Sequence, residues 1–306
     1  MTNISWEEIN KWEVKEAGFS RRVVNSALRS GFKNIKELRE NYSEKMKGIG
    51  SVSVKNMFNF FNLCQRIVKG DYPFNSLPSL FNFFLTDLQK EVIAYRYSLY
   101  EKTSSYGVKT LEEVGNIKKL SRERVRQIEN SAMQVLRSKI ATICMAPFVE
   151  KFRAYINAEG KAVTPVELLS FTETNILEGM NIIGIAALLS KCIGFPTFYK
   201  KSFFTTISEE TLKSVEDVII TILENGILLH IPEITQKLFL SLQQNYNIWG
   251  LTEKIIICLL EFNPQFIKLK DGRYGLLNQQ KKILQNIVKE LIPSLTFPVH
   301  FMLILQ

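Results

Sequence analysis

The chain has 306 residues, 46% of them hydrophobic, which excludes a disordered polymer and leaves room for roughly two to three domains of ~100–150 residues. Lysine and arginine number 39 against 30 aspartate and glutamate, a formal net charge of +9, so its field favours polyanionic partners. No uninterrupted apolar run reaches the roughly 18–20 residues of a membrane span, and the opening MTNISWEEINKWEV has neither the basic nor the apolar region of a signal peptide, so a cytoplasmic protein without a membrane partner is expected.

In chain order, residues 20–63 predict short helices parted by tight turns, through SRRVVNSALRSGF, NIKELREN and MKGIGSVSVKNMFNFFNL. In the last of these Gly48 and Gly50 precede a helix start, where backbone amides can approach a phosphate closely. The proline-punctuated GDYPFNSLPSLFNFF at 70–84 is expected to be a linker. Helical patterning resumes over 86–139, with LTDLQKEVIAYRYSL, a polar loop EKTSSYGVK, the helix TLEEVGNIK and a longer helix from Ser121. After about 150 the composition turns aliphatic and a loose internal repeat emerges. One unit opens at Gly160 with GKAVTPVELL and closes on FPTFYKKSFFTT; the other opens 66 positions later at Gly226 with GILLHIPEITQKL and closes on FIKLKDGRYGL. Each has a short strand, helices and a basic-aromatic hairpin, and Asp271-Gly272 is a strong hairpin dipeptide. This is the layout of a winged helix.

Cys64, Cys144, Cys192 and Cys258 lie far apart in sequence, without the paired spacing of a metal or redox site, and are expected to be buried thiols. The two histidines, His230 and His300, sit beside prolines and apolar residues and are expected to be structural. No P-loop, paired-carboxylate cluster, metal-ligand spacing or nucleophile–base pair stands out, so neither enzymatic activity nor a metal or cofactor is expected.

The basicity is uneven. Residues 1–150 hold 24 lysines and arginines against 16 acids, whereas the rest of the chain is almost neutral. Within the first half, Lys118, Lys119, Arg122, Arg124, Arg126, Arg137 and Lys139 face only Glu123 and Glu129. The same stretch, TLEEVGNIKKLSRERVRQIENSAMQVLRS at 110–138, has two hydroxyl N-caps: Thr110 with Glu113 forms a capping box, and Ser121 starts the second helix. Two capped helices across a tight turn meet the requirement of a helix-turn-helix. At 100° per residue Val125, Ile128, Ala132, Val135 and Leu136 share an apolar arc, while Glu123, Arg126, Gln127, Asn130 and Gln134 lie opposite. That outer set offers the donors and the acceptor that major-groove base edges require.

On these residues the segment 85–138, with LTDLQKEVIAYRYSL, TLEEVG, LSRERVRQIE and the VLRS ending, resembles region 4 of sigma-70 family transcription initiation factors. Leu88 and Lys118 depart from the family's pattern. The resemblance implies base reading of a promoter −35-type element by Arg122, Glu123, Arg126 and Gln127, with Arg96, Thr110, Lys118, Lys119 and Arg124 at the backbone. The preceding FSRRVVNSALRSGFKNIKELRENYSEKMKGIGSVSVKNMFNFF is similar to the C-terminal domain of the RNA polymerase alpha subunit, a helix-hairpin-helix unit. That similarity implies minor-groove and hairpin contacts through Arg22, Asn25, Gly48, Gly50 and Ser53.

The expected architecture is mainly α, with β-structure confined to small hairpins. Residues 1–69 form the alpha-like domain, 70–84 the linker, 85–145 the region-4-like helix-turn-helix, 150–210 and 211–280 two winged-helix-like units, and 281–306 a C-terminal docking segment. Tyr199, Lys200, Lys201, Lys268, Lys270 and Arg273 stand where wings would meet a DNA backbone, with homo-oligomerisation or partner docking as the other reading of that half. The expected function is a sequence-specific regulator of transcription, bacterial or phage and nucleoid-associated, that binds double-stranded DNA. It is not expected to be a complete sigma factor, because no aromatic-rich −10-melting region appears in the sequence. The alternatives are an adaptor bound to RNA polymerase core, or an architectural or mobile-element accessory protein binding duplex DNA.

Overall fold

Serine and threonine organise seven of the helix starts among the described residues. Ser5, Ser20, Ser76, Thr86, Thr110, Ser121 and Ser208 each stand at an N-cap and accept a bond from the amide three residues on, satisfying a donor that a helix otherwise leaves bare. The computed structural model describes residues 4–41, 46, 49–101, 108–242 and 250–291. It divides into two compact units, one of Met1–Ala154 with Pro165–Pro196, the other of Tyr155–Thr164 with Thr197–Gln306.

The first unit begins with α1 (Trp6–Lys11), α2 (Arg21–Arg29), α3 (Ile35–Asn41) and α4 (Ser51–Val68). Ile9, Val14, Ala27, Ile35 and Leu38 are sealed from solvent among them. Gly50 caps the start of α4, as the pair of glycines predicts; Gly48 lies outside the described residues. The stretch expected to be a linker is half helix. Ser76 caps α5 (Leu77–Phe84), with Pro78 in the first turn, where a missing amide proton costs nothing. Leu77, Leu80 and Phe81 are buried there, so the prolines at 73 and 78 mark a helix entry.

Then come α6 (Asp87–Arg96), α7 (Leu111–Lys118), α8 (Arg122–Leu136) and α9 (Lys139–Ala158). The last runs straight through the border expected near 145–150. Its sequence holds no glycine, and burial of Ile140, Cys144, Met145, Phe148 and Phe152 carries it past Pro147. After α9 follow β1 (Ala162–Val163), α10 (Pro165–Leu168), α11 (Ile182–Ile193), β2 (Thr197–Tyr199) and β3 (Phe203–Thr205). Helices α10 and α11 belong to the first unit and the three strands to the second.

In the second unit the sheet order is β1-β3-β2, antiparallel throughout. It continues with α12 (Glu209–Ile222), α13 (Ile231–Leu242), α14 (Glu253–Phe262), β4 (Phe266–Lys268), β5 (Tyr274–Leu276) and α15 (Gln280–Leu291). Leu229 bridges Tyr274 of β5, which pairs with β4, so the second repeat has the strand order of the first. The repeat is therefore real in topology: helix, strand, helix, helix, strand, strand, twice. Its markers Gly160 and Gly226 have φ of 79° and 74°, a left-handed backbone that glycine adopts without strain. Of the expected docking segment, α15 is described through Leu291, and the remainder with His300 lies outside. All four cysteines are free and buried, and burial pushes the Cys64 and Cys144 thiols up to about 12. Among the described residues no helix is long and apolar enough to cross a membrane.

Candidate nucleic-acid interface

Helices α6, α7 and α8 enclose a small core of their own. Val92, Val114, Val125 and Ile128 are buried, with Leu111 and Leu120 packed against them. Thr86 with Gln89 and Thr110 with Glu113 close full capping boxes at the starts of α6 and α7. The turn into α8 takes its shape from Lys119, which ends α7 in the left-handed region at φ 54°, and from the Leu120 amide, which donates to the Gly115 carbonyl at 2.9 Å. Ser121 then caps α8 by accepting from the Arg124 amide at 3.2 Å. Gln89 Nε2 donates to Ser131 Oγ at 3.0 Å and so pins α6 across the longer helix.

The predicted helical wheel is observed. Val125, Ile128, Ala132 and Leu136 are buried and Val135 half-buried, while Arg122, Glu123, Arg126, Gln127, Asn130 and Gln134 are exposed. The four expected base readers thus share one solvent face, and in the free chain three of them bind one another. Arg126 clasps Glu123 with two bonds of 2.7 Å, and Gln127 Nε2 donates to the same carboxylate at 3.1 Å. These bonds hold the Glu123 carboxyl down to about 2. Arg124, expected at the backbone, donates to Gln127 Oε1 at 3.4 Å.

The remaining expected phosphate contacts differ in their freedom. Thr110 and Lys119 are exposed. Lys118 leans back 2.5 Å onto Glu91 and lies 5.7 Å from the ring centre of Tyr95. Arg96 is turned inward: its side chain is 16% exposed and its Nε lies 3.5 Å from Glu129. In the N-terminal helices Arg22 and Asn25 are exposed on α2, and Ser53 is half-buried in the first turn of α4, its amide donating to the Gly50 carbonyl at 3.0 Å.

Sequence reasoning missed Glu129. It lies on the apolar arc of α8, buried, and its Oε1 receives the Tyr97 hydroxyl at 3.0 Å and Lys191 Nζ at 2.9 Å. A charged residue on an otherwise apolar arc was the available signal. In the second unit the wing cations are largely taken by acids. Tyr199 and Lys200 bind Glu216 at 2.6 and 2.5 Å, Lys268 binds Glu261 at 2.9 Å, and Arg273 binds Asp271 and Glu290 at 2.8 and 3.0 Å. Lys200, Lys201, Lys268 and Lys270 are all exposed, Arg273 is half-buried and Tyr199 is buried.

Residues 85–138 match the family model of sigma-70, region 4. Comparison with curated proteins and comparison with solved structures each give no match. The matched span is the three-helix element α6–α8, a helix-turn-helix whose role is DNA binding in transcription.

Proposed function

We propose that the chain is a sequence-specific regulator that reads a promoter −35-like element in double-stranded DNA through α8. The observation that carries this reading is the exposed row Arg122, Glu123, Arg126 and Gln127, projecting from a helix whose opposite side is locked into the core of a region-4-type helix-turn-helix. Arginine suits guanine, glutamate cytosine and glutamine adenine in a major groove, and one good bidentate pair discriminates against the wrong base by roughly tenfold to hundredfold. Arg124, Lys119 and Thr110 flank that row for phosphates.

The same proposal assigns α1–α4 to a helix-hairpin-helix that touches a minor groove through Arg22, Asn25 and the Gly50–Ser53 turn. It assigns the two repeats to winged-helix units, on the support of their shared strand order. Their acid-paired wings favour a docking or oligomer-forming role for them over DNA contact.

The test is selection of bound duplexes from a random pool at ~150 mM salt, where specific and non-specific binding separate. An enriched motif resembling a −35 hexamer, lost in the Arg126→Ala, Gln127→Ala double variant, is the expected result. Binding without any motif, retained by the variant, would refute base reading and favour an architectural role. A second reading, an adaptor on RNA polymerase core, draws support from Arg96 and Lys118, whose charges the fold uses internally and so withholds from phosphates. It predicts polymerase association that survives Glu123→Ala and Gln127→Ala.

A further inference from the structure

We infer that α11, which belongs to the first repeat, is a positioning element for the reading helix α8, with Lys191 and Gly184 as the residues that transmit its hold. The helix is consumed as a brace. Nine of its twelve residues are buried, which leaves no polar reading face.

Its attachments run along its length. At the start, the Asn181 amide donates to the Leu99 carbonyl at 2.6 Å and its side-chain Nδ2 to the Glu101 carbonyl at 2.8 Å, both in the segment that follows α6. One turn on, Gly184 lies so close to the end of α6 that a Cβ there would collide with the Tyr97 carbonyl oxygen. Near its end, Lys191 reaches Glu129 at 2.9 Å, two residues beyond Gln127 on α8. At its last turn, the Lys191 and Cys192 carbonyls accept from the Arg137 guanidinium at 2.8 and 2.9 Å, where a cation also meets the negative end of the helix dipole. Both ends and the middle of α11 are thus tied to α6 and α8.

The chemistry at Glu129 explains why this matters for reading. A buried carboxylate requires compensation, and removing a partner leaves an uncompensated charge that the surrounding helices must rearrange to solvate. Tyr97 and Arg96 supply part of the compensation from within the helix-turn-helix. Lys191 supplies a cation from outside it, 62 positions along the chain. Loss of that cation loosens the inner side of α8 beneath Arg126 and Gln127.

The inference deepens the proposed base reading and rests on it for the DNA measurement alone. In the full chain, Lys191→Met keeps the aliphatic stem and removes the charge, Lys191→Arg restores a cation, and Gly184→Ala wedges α11 away from Tyr97. Hydrogen exchange is followed in the DNA-free protein at the amides of 126–130 in α8 and of α2 as an internal reference. Lys191→Met is expected to speed exchange in α8 about tenfold with α2 unchanged. Its preference for the selected duplex over a random one should fall about tenfold with random-duplex binding unchanged, and Lys191→Arg should recover both. Unchanged α8 exchange and preference in Lys191→Met would overturn the inference, as would acceleration of α2 and α8 together, the mark of general loosening. Lys191 is half-exposed, so its variants remain decisive where Gly184→Ala fails to fold. If the wild type shows no preference among duplexes, the base-reading proposal falls, and the α8 exchange alone decides for or against the brace.

Discussion

Replacing a helical glycine by alanine ordinarily stabilises a helix by about 1 kcal/mol, because alanine has less backbone freedom to lose. At Gly115 the sign should reverse. The residue sits in the last turn of α7, and a Cβ built there meets the Leu120 carbonyl oxygen at 2.6 Å, about 0.8 Å inside ordinary contact at 3.4 Å. That oxygen is backbone, held by a turn whose Leu120 amide already donates to Gly115 and whose Ser121 caps α8. Relief therefore requires the whole turn to move. Overpacking costs about 1–3 kcal/mol, and against backbone that cannot yield the upper part of that range applies, about 2–3 kcal/mol; less the propensity gain of about 1 kcal/mol, this leaves Gly115→Ala about 1–2 kcal/mol less stable in α6–α8. By amide exchange in those helices, that is a loss of protection of roughly tenfold, with the α1–α4 amides as reference. Affinity for a selected duplex should fall as well, since α8 is re-aimed. An alanine variant with greater protection in α7 and α8 and unaltered duplex affinity would refute the steric argument.

Three further outcomes follow from the same geometry. Tyr97→Phe removes a hydroxyl that donates to buried Glu129 and should cost about 1.5–3 kcal/mol in urea unfolding, a range set by hydrogen bonds to charged groups; an unmoved midpoint would show that the bond carries no weight. The Glu123 carboxyl should titrate near 2 by carboxyl NMR, against an ordinary 4.5. Its depressed value means that its pairing stabilises the folded chain above about pH 4.5 and is lost as pH falls towards 2, and Arg126→Ala should move the titration back towards 4.5. The four buried thiols should resist alkylation at pH 8 in the native chain and react fully once it is unfolded, since burial holds Cys64 and Cys144 near 12 and Cys192 near 11.

Local chemistry is the part of the fold that the residue string displays openly. Thr110, Glu113 and Ser121 act within three residues of themselves, and the Val125–Leu136 arc repeats with the helical period, so the caps and the inner face are legible from neighbouring letters alone. The repeat can be read because glycine at positive φ and a tight Asp271-Gly272 turn leave marks in the same string. What stays hidden depends on partners far along the chain. Nothing near Arg96 shows that its charge faces Glu129, and nothing near Lys191 shows that it closes the same cluster. The length of α9 and the presence of α5 are hidden for another reason: proline punctuates a sequence in the same way whether it opens a helix, sits tolerated inside one or breaks it.

The self-pairing on the outer face of α8 bears on how a reader rejects the wrong site. Arg126 and Gln127 already have a carboxylate to hold, so a random duplex that offers only phosphates must compete with Glu123 for them. Under the proposed base reading, a duplex of the right sequence would return each relinquished bond at a base edge and free Glu123 to accept one of its own. On that reading the internal pairing would work as a decoy that lowers affinity for every sequence but is compensated at one, and discrimination would grow from the difference rather than from the strength of grip.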